Sequence, residues 1–161
     1  MASTDGKLSA RRSTARLFAI QALYEIVLSG RAGADVVANF LESRIPEETV
    51  ARGYGPPDKK LFCDLVANVE REAHDIDNLL IAVLAEDWPL DRLETLLHVL
   101  LRAAVFELAW RPEVPARVVI NEYVDLAHAF FSEGQPGMVN GLLDNLGRQL
   151  RPEEFHDQGA R

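Results

Sequence analysis

The chain has 161 residues, of which 48% are hydrophobic and 26% charged, and it contains a single cysteine. This length supports one sizeable domain, and the lone thiol excludes an internal disulfide and any metal site built from several cysteines. The net charge is −8, but the first 16 residues hold four basic side chains against Asp5, so they carry +3 and the remainder −11. Such asymmetry is compatible with an anionic ligand at the basic start and a cationic partner elsewhere, but charge alone favours a solvated terminus without a binding role.

Helical periodicity runs through the first part of the chain, with no alternation typical of a strand. The first helix is predicted over Ser9–Ser29, because apolar residues recur there at three- and four-residue steps before Gly30. A shorter helix is predicted over residues 34–44, and Pro46 is expected to end it. Both helices therefore present one apolar face to a core.

The segment at residues 52–60, RGYGPPDKK, is predicted as a loop, because two glycines and two prolines oppose regular structure. A third helix is predicted to open near Asp58 and to continue, bent or broken, to about residue 84. GYGPPDKK does not form a phosphate-binding P-loop, since it lacks the Gly-Lys-Ser/Thr ending and a preceding strand.

The second half of the chain is also helical by pattern. Asp91 is predicted to cap a new helix, and the following stretch Leu93–Trp110 is apolar on nearly all sides, which is typical of a central helix. Pro115 is predicted as the first residue of the next helix. A turn is expected over Ser132–Gly137, followed by a last helix over residues 136–150.

Together these elements predict an all-α fold, a compact single-domain bundle of six or seven helices. We expect residues 1–8 to form a flexible tail, residues 9–152 the helical domain, and residues 153–161 a polar tail, with fraying from the end of the last helix. No apolar run reaches the length of a membrane helix, and no secretory signal opens the chain. A cytoplasmic protein with no membrane contact is expected.

Residues that could carry catalysis are few and have simpler explanations. The histidines show no metal-binding spacing, and Cys63 lies in an apolar stripe where a small buried side chain is the ordinary reading. His98, Arg102 and Glu107 lie on the most apolar helix, where charges must be paired or reach the surface. We therefore predict structural pairing for Arg102 and Glu107, no enzyme activity, no cofactor and no metal.

Four passages, in this order and spacing, resemble the bacterial transcription antitermination factor NusB family. The resemblance covers roughly residues 9–152. The passages are RRSTARLFAIQALYE at Arg11–Glu25, LRAAVFEL at Leu101–Leu108, VPARVVINEYVDLAHAF at Val114–Phe130 and MVNGLLDNL at Met138–Leu146. Each alone is a common helical pattern, whereas the ordered set is specific.

The resemblance implies a NusB-like helical fold and a role without catalysis. It implies binding of boxA, a short single-stranded element of ribosomal RNA transcripts, together with the small-subunit ribosomal protein NusE. The heterodimer would act in the RNA polymerase antitermination complex, which reads through terminators. The acidic remainder of the chain suits a basic ribosomal protein.

The resemblance also places RNA binding on the first helix and nearby residues. Arg12 and Arg16 are four apart and so share a helix face, with Arg11 beside them, and guanidinium groups pair with phosphates or stack on bases. Tyr24 offers a ring for stacking, with core packing as the alternative. Met138 occupies a position where the family often has phenylalanine. The predicted RNA-binding residues are thus Arg11, Arg12, Arg16, Tyr24 and Met138.

Several positions depart from the family pattern, and they predict weaker RNA binding alone with heavier reliance on the partner. In the family, basic residues are common at two positions of the first helix where this chain has a serine and a threonine. Many family members have a lysine–phenylalanine pair before VNG and an acidic residue in the preceding turn, and other residues stand there in this chain. A glutamate that is usual on the helix contacting the ribosomal protein is also replaced. The residues concerned are Ser13, Thr14, Gly134, Gly137, Met138 and Leu97.

The remaining residues of the INE and VNG passages are interpreted as fold-determining rather than RNA-contacting. Asn121 and Asn140 can hydrogen-bond facing backbone if they are buried. Gly141 lacks a side chain, so another helix could pass closely.

Two alternative functions stay open. One is a NusB-like RNA-binding module of a ribosomal RNA cytosine methyltransferase, of which a chain ending at Arg161 would be only a fragment. The other is a non-catalytic helical adaptor or homodimer, with Leu93–Trp110 as the self-association face.

Overall fold

The structure is a computed structural model that describes residues 4–86 and 88–156. Every regular element in these ranges is helical, which confirms the all-α prediction. The chain divides into two compact units, residues 1–71 and 72–161. The α-helices are α1 (Thr4–Ser29), α2 (Gly33–Asn39), α3 (Ile45–Arg52) and α4 (Lys59–Arg71) in the first unit, and α5 (Ala73–Val83), α6 (Thr95–Trp110), α7 (Ala116–Phe130) and α8 (Gln135–Leu150) in the second.

The first unit is built on the contact between α1 and α4, with α2 packed against both. Each fully buried leucine or phenylalanine contributes about 1.5–3 kcal/mol, so this contact fixes α1 firmly. The side chains buried there include Ala15, Phe18, Ala19 and Ala22 of α1, and Leu61, Phe62, Leu65, Val66 and Val69 of α4.

The start of α1 differs from the prediction, whereas its end agrees. The helix begins at Thr4 rather than near Ser9, although residues 4–10 are all exposed. Asp5 lies in the first turn, where a carboxylate interacts favourably with the positive end of the helix dipole. This interaction stabilises the first turn, although none of its side chains is buried. At the other end Gly30 has a φ of 70°, the left-handed conformation that favours glycine after a helix. Residues 1–3 of the predicted flexible tail lie outside the described residues.

Pro46 does not end the second helix, contrary to the prediction. Residues 40–44 form a π-helical turn in which the N–H of Ile45 donates to the carbonyl of Phe40, and α3 follows directly. The wider turn places Pro46 in the first turn of α3, where the missing N–H of a proline is tolerated. Because α2 and α3 thereby form one continuous rod, the described residues contain seven helical rods, within the predicted six or seven.

The second unit is organised around α6, which contacts α5, α7 and α8. Most side chains from residue 97 to residue 108 are buried, as the all-round apolar pattern predicts. Asp91 does not cap this helix: it lies inside a 3₁₀ turn over residues 90–92, and two extended residues separate that turn from Thr95. Neither α6 nor another helix in the described ranges is long and apolar enough to cross a membrane.

The charged residues of α6 are paired, which confirms the prediction for Arg102 and Glu107. Arg102 donates from Nε and one Nη to the two oxygens of Asp77, at 2.9 and 2.6 Å, and His98 Nε2 lies 2.8 Å from the same carboxylate. Burial alone would raise the pKa of Asp77, but hydrogen bonds from Arg102 and His98 outweigh it and lower the pKa. Glu107 is fully buried and accepts a 2.5 Å hydrogen bond from the Tyr123 hydroxyl.

The end of the chain is ordered further than predicted. Arg151 is 4% exposed, and its guanidinium donates to the carbonyl oxygens of Leu108, Glu107, Arg111 and Val114. A buried arginine thus caps the carboxyl end of α6, where the helix leaves carbonyls without partners.

The residues after Arg151 add a second cap. The Glu154 carboxylate accepts the first N–H of α7, from Ala116, at 2.9 Å, and also a hydrogen bond from Arg151 at 3.1 Å. The Phe155 ring is buried. The expected fraying is therefore wrong over residues 151–155, because Arg151 and Glu154 bind backbone groups at helix ends and the Phe155 ring is buried. Residues 157–161 of the predicted polar tail lie outside the described part.

Candidate nucleic-acid interface

The basic start of α1, defined by Lys7, Arg11 and Arg12, is exposed. Lys7 and Arg11 are four residues apart and share one side of the helix, with Arg12 next to them. Within the described ranges no ion pair or hydrogen bond holds the Arg12 guanidinium. Three cations displayed on one rigid helix can meet successive phosphates of a nucleic-acid strand.

Arg11 is additionally held by the loop that precedes α4. Its Nε donates to the carbonyl of Pro56 at 3.2 Å, and its own carbonyl accepts the N–H of Asp58 at 3.0 Å. The loop lies 45 residues along the chain from Arg11. Sequence reasoning missed this pairing, and its only signal was the stiff Gly-Pro-Pro segment.

Arg16 is buried, whereas Arg12 is exposed. Although the two are four residues apart, Arg16 is only 2% exposed and lies among the buried residues of α1. The burial arises because α1 packs into the core from Ala15 onward, whereas residues 4–12 are exposed. In this structure the Arg12 side chain is therefore accessible to an external ligand, whereas the Arg16 side chain is buried.

The other two predicted RNA-binding residues are half-buried. Tyr24 lies twelve residues beyond Arg12 on α1, which is about 18 Å along the helix axis. Met138 lies in the first turn of α8, in the second unit. The structure thus brings Arg11 and Arg12 together, keeps part of the Tyr24 ring accessible, and places Met138 on a separate unit.

The departures from the family pattern have local explanations. The hydroxyls of Ser13 and Thr14 donate to the carbonyls one turn back in α1, at 3.0 and 2.9 Å. Leu97 is 2% exposed, so its side chain belongs to the core of the second unit. Gly134 and Gly137 are exposed at the start of α8.

The interpretation of three residues as fold-determining is wrong. Asn121 and Asn140 are exposed on α7 and α8, and a Cβ added to Gly141 would meet no atom within 4 Å. The close approach occurs instead at Gly147, where an added Cβ would lie 3.1 Å from the ring of Phe155. The pattern VNGLLD therefore places its polar residues on the surface, and the tight packing lies one and a half turns further on.

The thiol of Cys63 is not poised for nucleophilic chemistry. Burial raises its pKa, and the charge of neighbouring Asp64 raises it further. A raised pKa keeps the thiol protonated at neutral pH, and the thiolate is the reactive form.

Comparison with known proteins identifies the family of the chain. The sequence model of the NusB family matches residues 13–148. A protein named Transcription antitermination protein NusB from Rhodopseudomonas palustris (strain TIE-1) is 43% identical over 145 residues, which cover 90% of this chain and 83% of that protein. A protein of the same name from Nitrobacter winogradskyi is 44% identical over 154 residues, covering 96% and 95%.

A solved structure supports the same assignment at the level of the fold. T. maritima NusB matches with a TM-score of 0.73 and 25% sequence identity, over 90% of this chain and 96% of that one. The sequence match extends from α1 to α8, so it includes both compact units. The chain belongs to the NusB family.

Proposed function

We propose that this protein is a transcription antitermination factor that binds boxA-type RNA of ribosomal RNA transcripts together with the ribosomal protein NusE. In the RNA polymerase antitermination complex it would help the polymerase read through terminators. The observation that carries the proposal is the exposure of Arg11 and Arg12 on α1 in a chain of the NusB family. The role requires no catalysis, cofactor or metal, and it places the protein in the cytoplasm.

The RNA strand is proposed to run along α1. The guanidinium groups of Arg11 and Arg12 pair with phosphates, which fixes the position of the strand without reading its sequence. The half-exposed ring of Tyr24 offers a surface on which a base can stack. Met138 is proposed as an apolar contact for a base.

The ribosomal partner is proposed to bind the acidic remainder of the molecule. Residues 17–161 carry a net charge of −11, which accelerates the approach of a basic protein. Formation of a 1:1 complex would displace any homodimer. The module of a cytosine methyltransferase has less support, because the match to the Nitrobacter relative extends over 95% of that protein and leaves it no catalytic domain.

The test is a titration of labelled boxA RNA with the protein, with and without NusE, across a series of salt concentrations. NusE is expected to increase the affinity. Replacing Arg12→Ala is expected to reduce the dependence of log K on log salt by about 0.7, the value for one phosphate contact on a single strand.

The matched control is Arg92→Ala, which removes an exposed arginine of the second unit. This control is expected to leave the slope unchanged. Equal effects of the two replacements would show that Arg12 acts only through net charge. A protein that binds no RNA with or without NusE would point to the adaptor or homodimer.

A further inference from the structure

We propose that the junction loop, defined as residues 53–58, together with Lys59 at the start of α4, completes the RNA-binding surface of the first unit. The loop holds Arg11 in a binding orientation, and Lys59 binds a second phosphate of the same strand. The proposal rests on the proposed function, since it takes single-stranded RNA as the ligand.

The first support is the orientation of Arg11. Its Nε donates to the carbonyl of Pro56, so one edge of the planar guanidinium is fixed against the loop. Among the described residues no partner occupies its two terminal amino groups. These two groups can form the parallel pair of hydrogen bonds that a phosphate accepts. The side chain is exposed, so a strand can reach it.

The second support is the stiffness of the loop. Two consecutive prolines restrict its backbone, and Pro57 is buried. The N–H of Asp58 donates to the carbonyl of Arg11 at 3.0 Å, and the Asp58 carboxylate accepts the N–H of Leu61, also at 3.0 Å. The loop is therefore fixed to α1 on one side and to α4 on the other.

The third support is the position of Lys59. It follows Asp58 directly, so its Cα lies about 3.8 Å from that of Asp58, beside the backbone of Arg11. Its side chain is exposed at the amino end of α4, where the helix dipole adds positive potential, and the first turn of α4 contains no acidic residue. The negative charge of Asp58 is engaged at the helix start.

The neighbouring lysine provides the contrast. Lys60 Nζ lies 2.6 Å from Asp64 Oδ2 one turn along α4, so its charge is already paired. Lys7 lies one turn before Arg11 on the same side of α1. Cations from two distant chain segments thus line one path from α1 to α4 within the first unit.

The decisive experiment compares Lys59→Ala with Lys60→Ala in the full chain, using labelled boxA RNA across a salt series. We expect Lys59→Ala to reduce the slope of log K against log salt by about 0.7, and Lys60→Ala to leave it unchanged. Equal slopes for the two variants would overturn the role of Lys59. An effect of Arg12→Ala without one of Lys59→Ala would overturn this proposal and leave the proposed function standing.

The positioning role of the loop is tested with Pro56→Gly, which keeps the carbonyl but loosens the backbone. We expect this replacement to weaken RNA binding about threefold in the parent chain and to have no effect in the Arg11→Ala background. The thermal stability of each variant serves as the control. A threefold loss in both backgrounds would show that the loop does not act through Arg11. Absence of RNA binding by the parent chain would overturn both proposals.

Discussion

Arginines near the two ends of the chain have different roles. At the start of α1, Arg11 and Arg12 are exposed, and the Arg11 guanidinium binds the described part of the protein through Nε alone. At the end of α8, Arg151 is buried and donates to four backbone carbonyls and to Glu154. The same side chain serves as a ligand-binding group at one end and as an internal helix cap at the other.

The difference depends on what surrounds each end. Residues 4–12 of α1 are exposed, and the junction loop provides the one backbone carbonyl outside α1 that accepts a hydrogen bond from their side chains among the described residues. Arg151 follows α8 at the point where α6 ends, and helix ends expose carbonyls that need donors. Exposed arginines are therefore expected to affect binding, and the buried one to affect folding.

The largest expected effect is that of Arg151→Ala. The replacement removes every hydrogen bond of the Arg151 guanidinium, including those to the carbonyls of Leu108 and Val114, so the free energy of unfolding should fall by about 3 kcal/mol. Arg12→Ala is the matched control at the other end and should change stability by less than about 0.5 kcal/mol. Urea unfolding of both variants measures the difference. If the free energy of unfolding falls by the same small amount in both variants, the arginines at the two ends do not differ in role and the comparison fails.

A smaller effect is expected for Glu154→Gln, which weakens the cap on α7. The hydrogen bond from the Ala116 N–H lowers the pKa of Glu154 below its ordinary value of 4.5; burial opposes this, and Arg151 adds to it. Because the folded-state pKa is lowered, the contribution is present above pH 4.5 and is lost as the pH falls below it. Glu154→Gln should lose about 1 kcal/mol at pH 7 and less at pH 3.

Glu153→Gln provides the control for this prediction, since Glu153 is the exposed neighbour of Glu154. The free energy of unfolding of Glu153→Gln should equal that of the parent chain at pH 7 and at pH 3. A loss for Glu154→Gln that is as large at pH 3 as at pH 7 would contradict a role for the ionised carboxylate.

The last prediction, similar in size to that for Glu154→Gln, concerns how tightly the end of the chain packs. Gly147→Ala would bring a methyl group 3.1 Å from the Phe155 ring, and this crowding exceeds the gain in helix propensity. We expect a loss of about 1 kcal/mol. Gly141→Ala on the same helix meets no neighbour and should gain about 0.5 kcal/mol. If both replacements change the melting temperature in the same direction, the Phe155 ring moves aside without a loss of stability.

The sequence predicts what depends on local patterning. The all-round apolar run of α6, the loop before α4 and the end of α1 at Gly30 are confirmed, because periodicity and glycine or proline chemistry act within a few residues. The pairing of Arg102 was also predictable, since a charge inside an apolar helix needs a partner.

What the sequence could not predict depends on contacts between distant segments. Arg12 and Arg16 look equivalent in the sequence, and only the packing of α1 buries one of them. The acceptors of Arg151 lie about forty residues earlier, and the partner of Arg11 lies 45 residues later. Whether Asn121 and Asn140 are buried could not be predicted, because it depends on which side of α7 and α8 meets the core.

The hydrogen bond between the Tyr123 hydroxyl and Glu107 has a consequence for how α6 and α7 fit together. Two smooth hydrocarbon surfaces can roll or slide against each other with little penalty, whereas a directional bond in a dry environment is satisfied at a single rotational setting. A displacement of one helix by a residue would break this hydrogen bond between two buried side chains. The polar contact therefore discriminates against misaligned arrangements of the same helices.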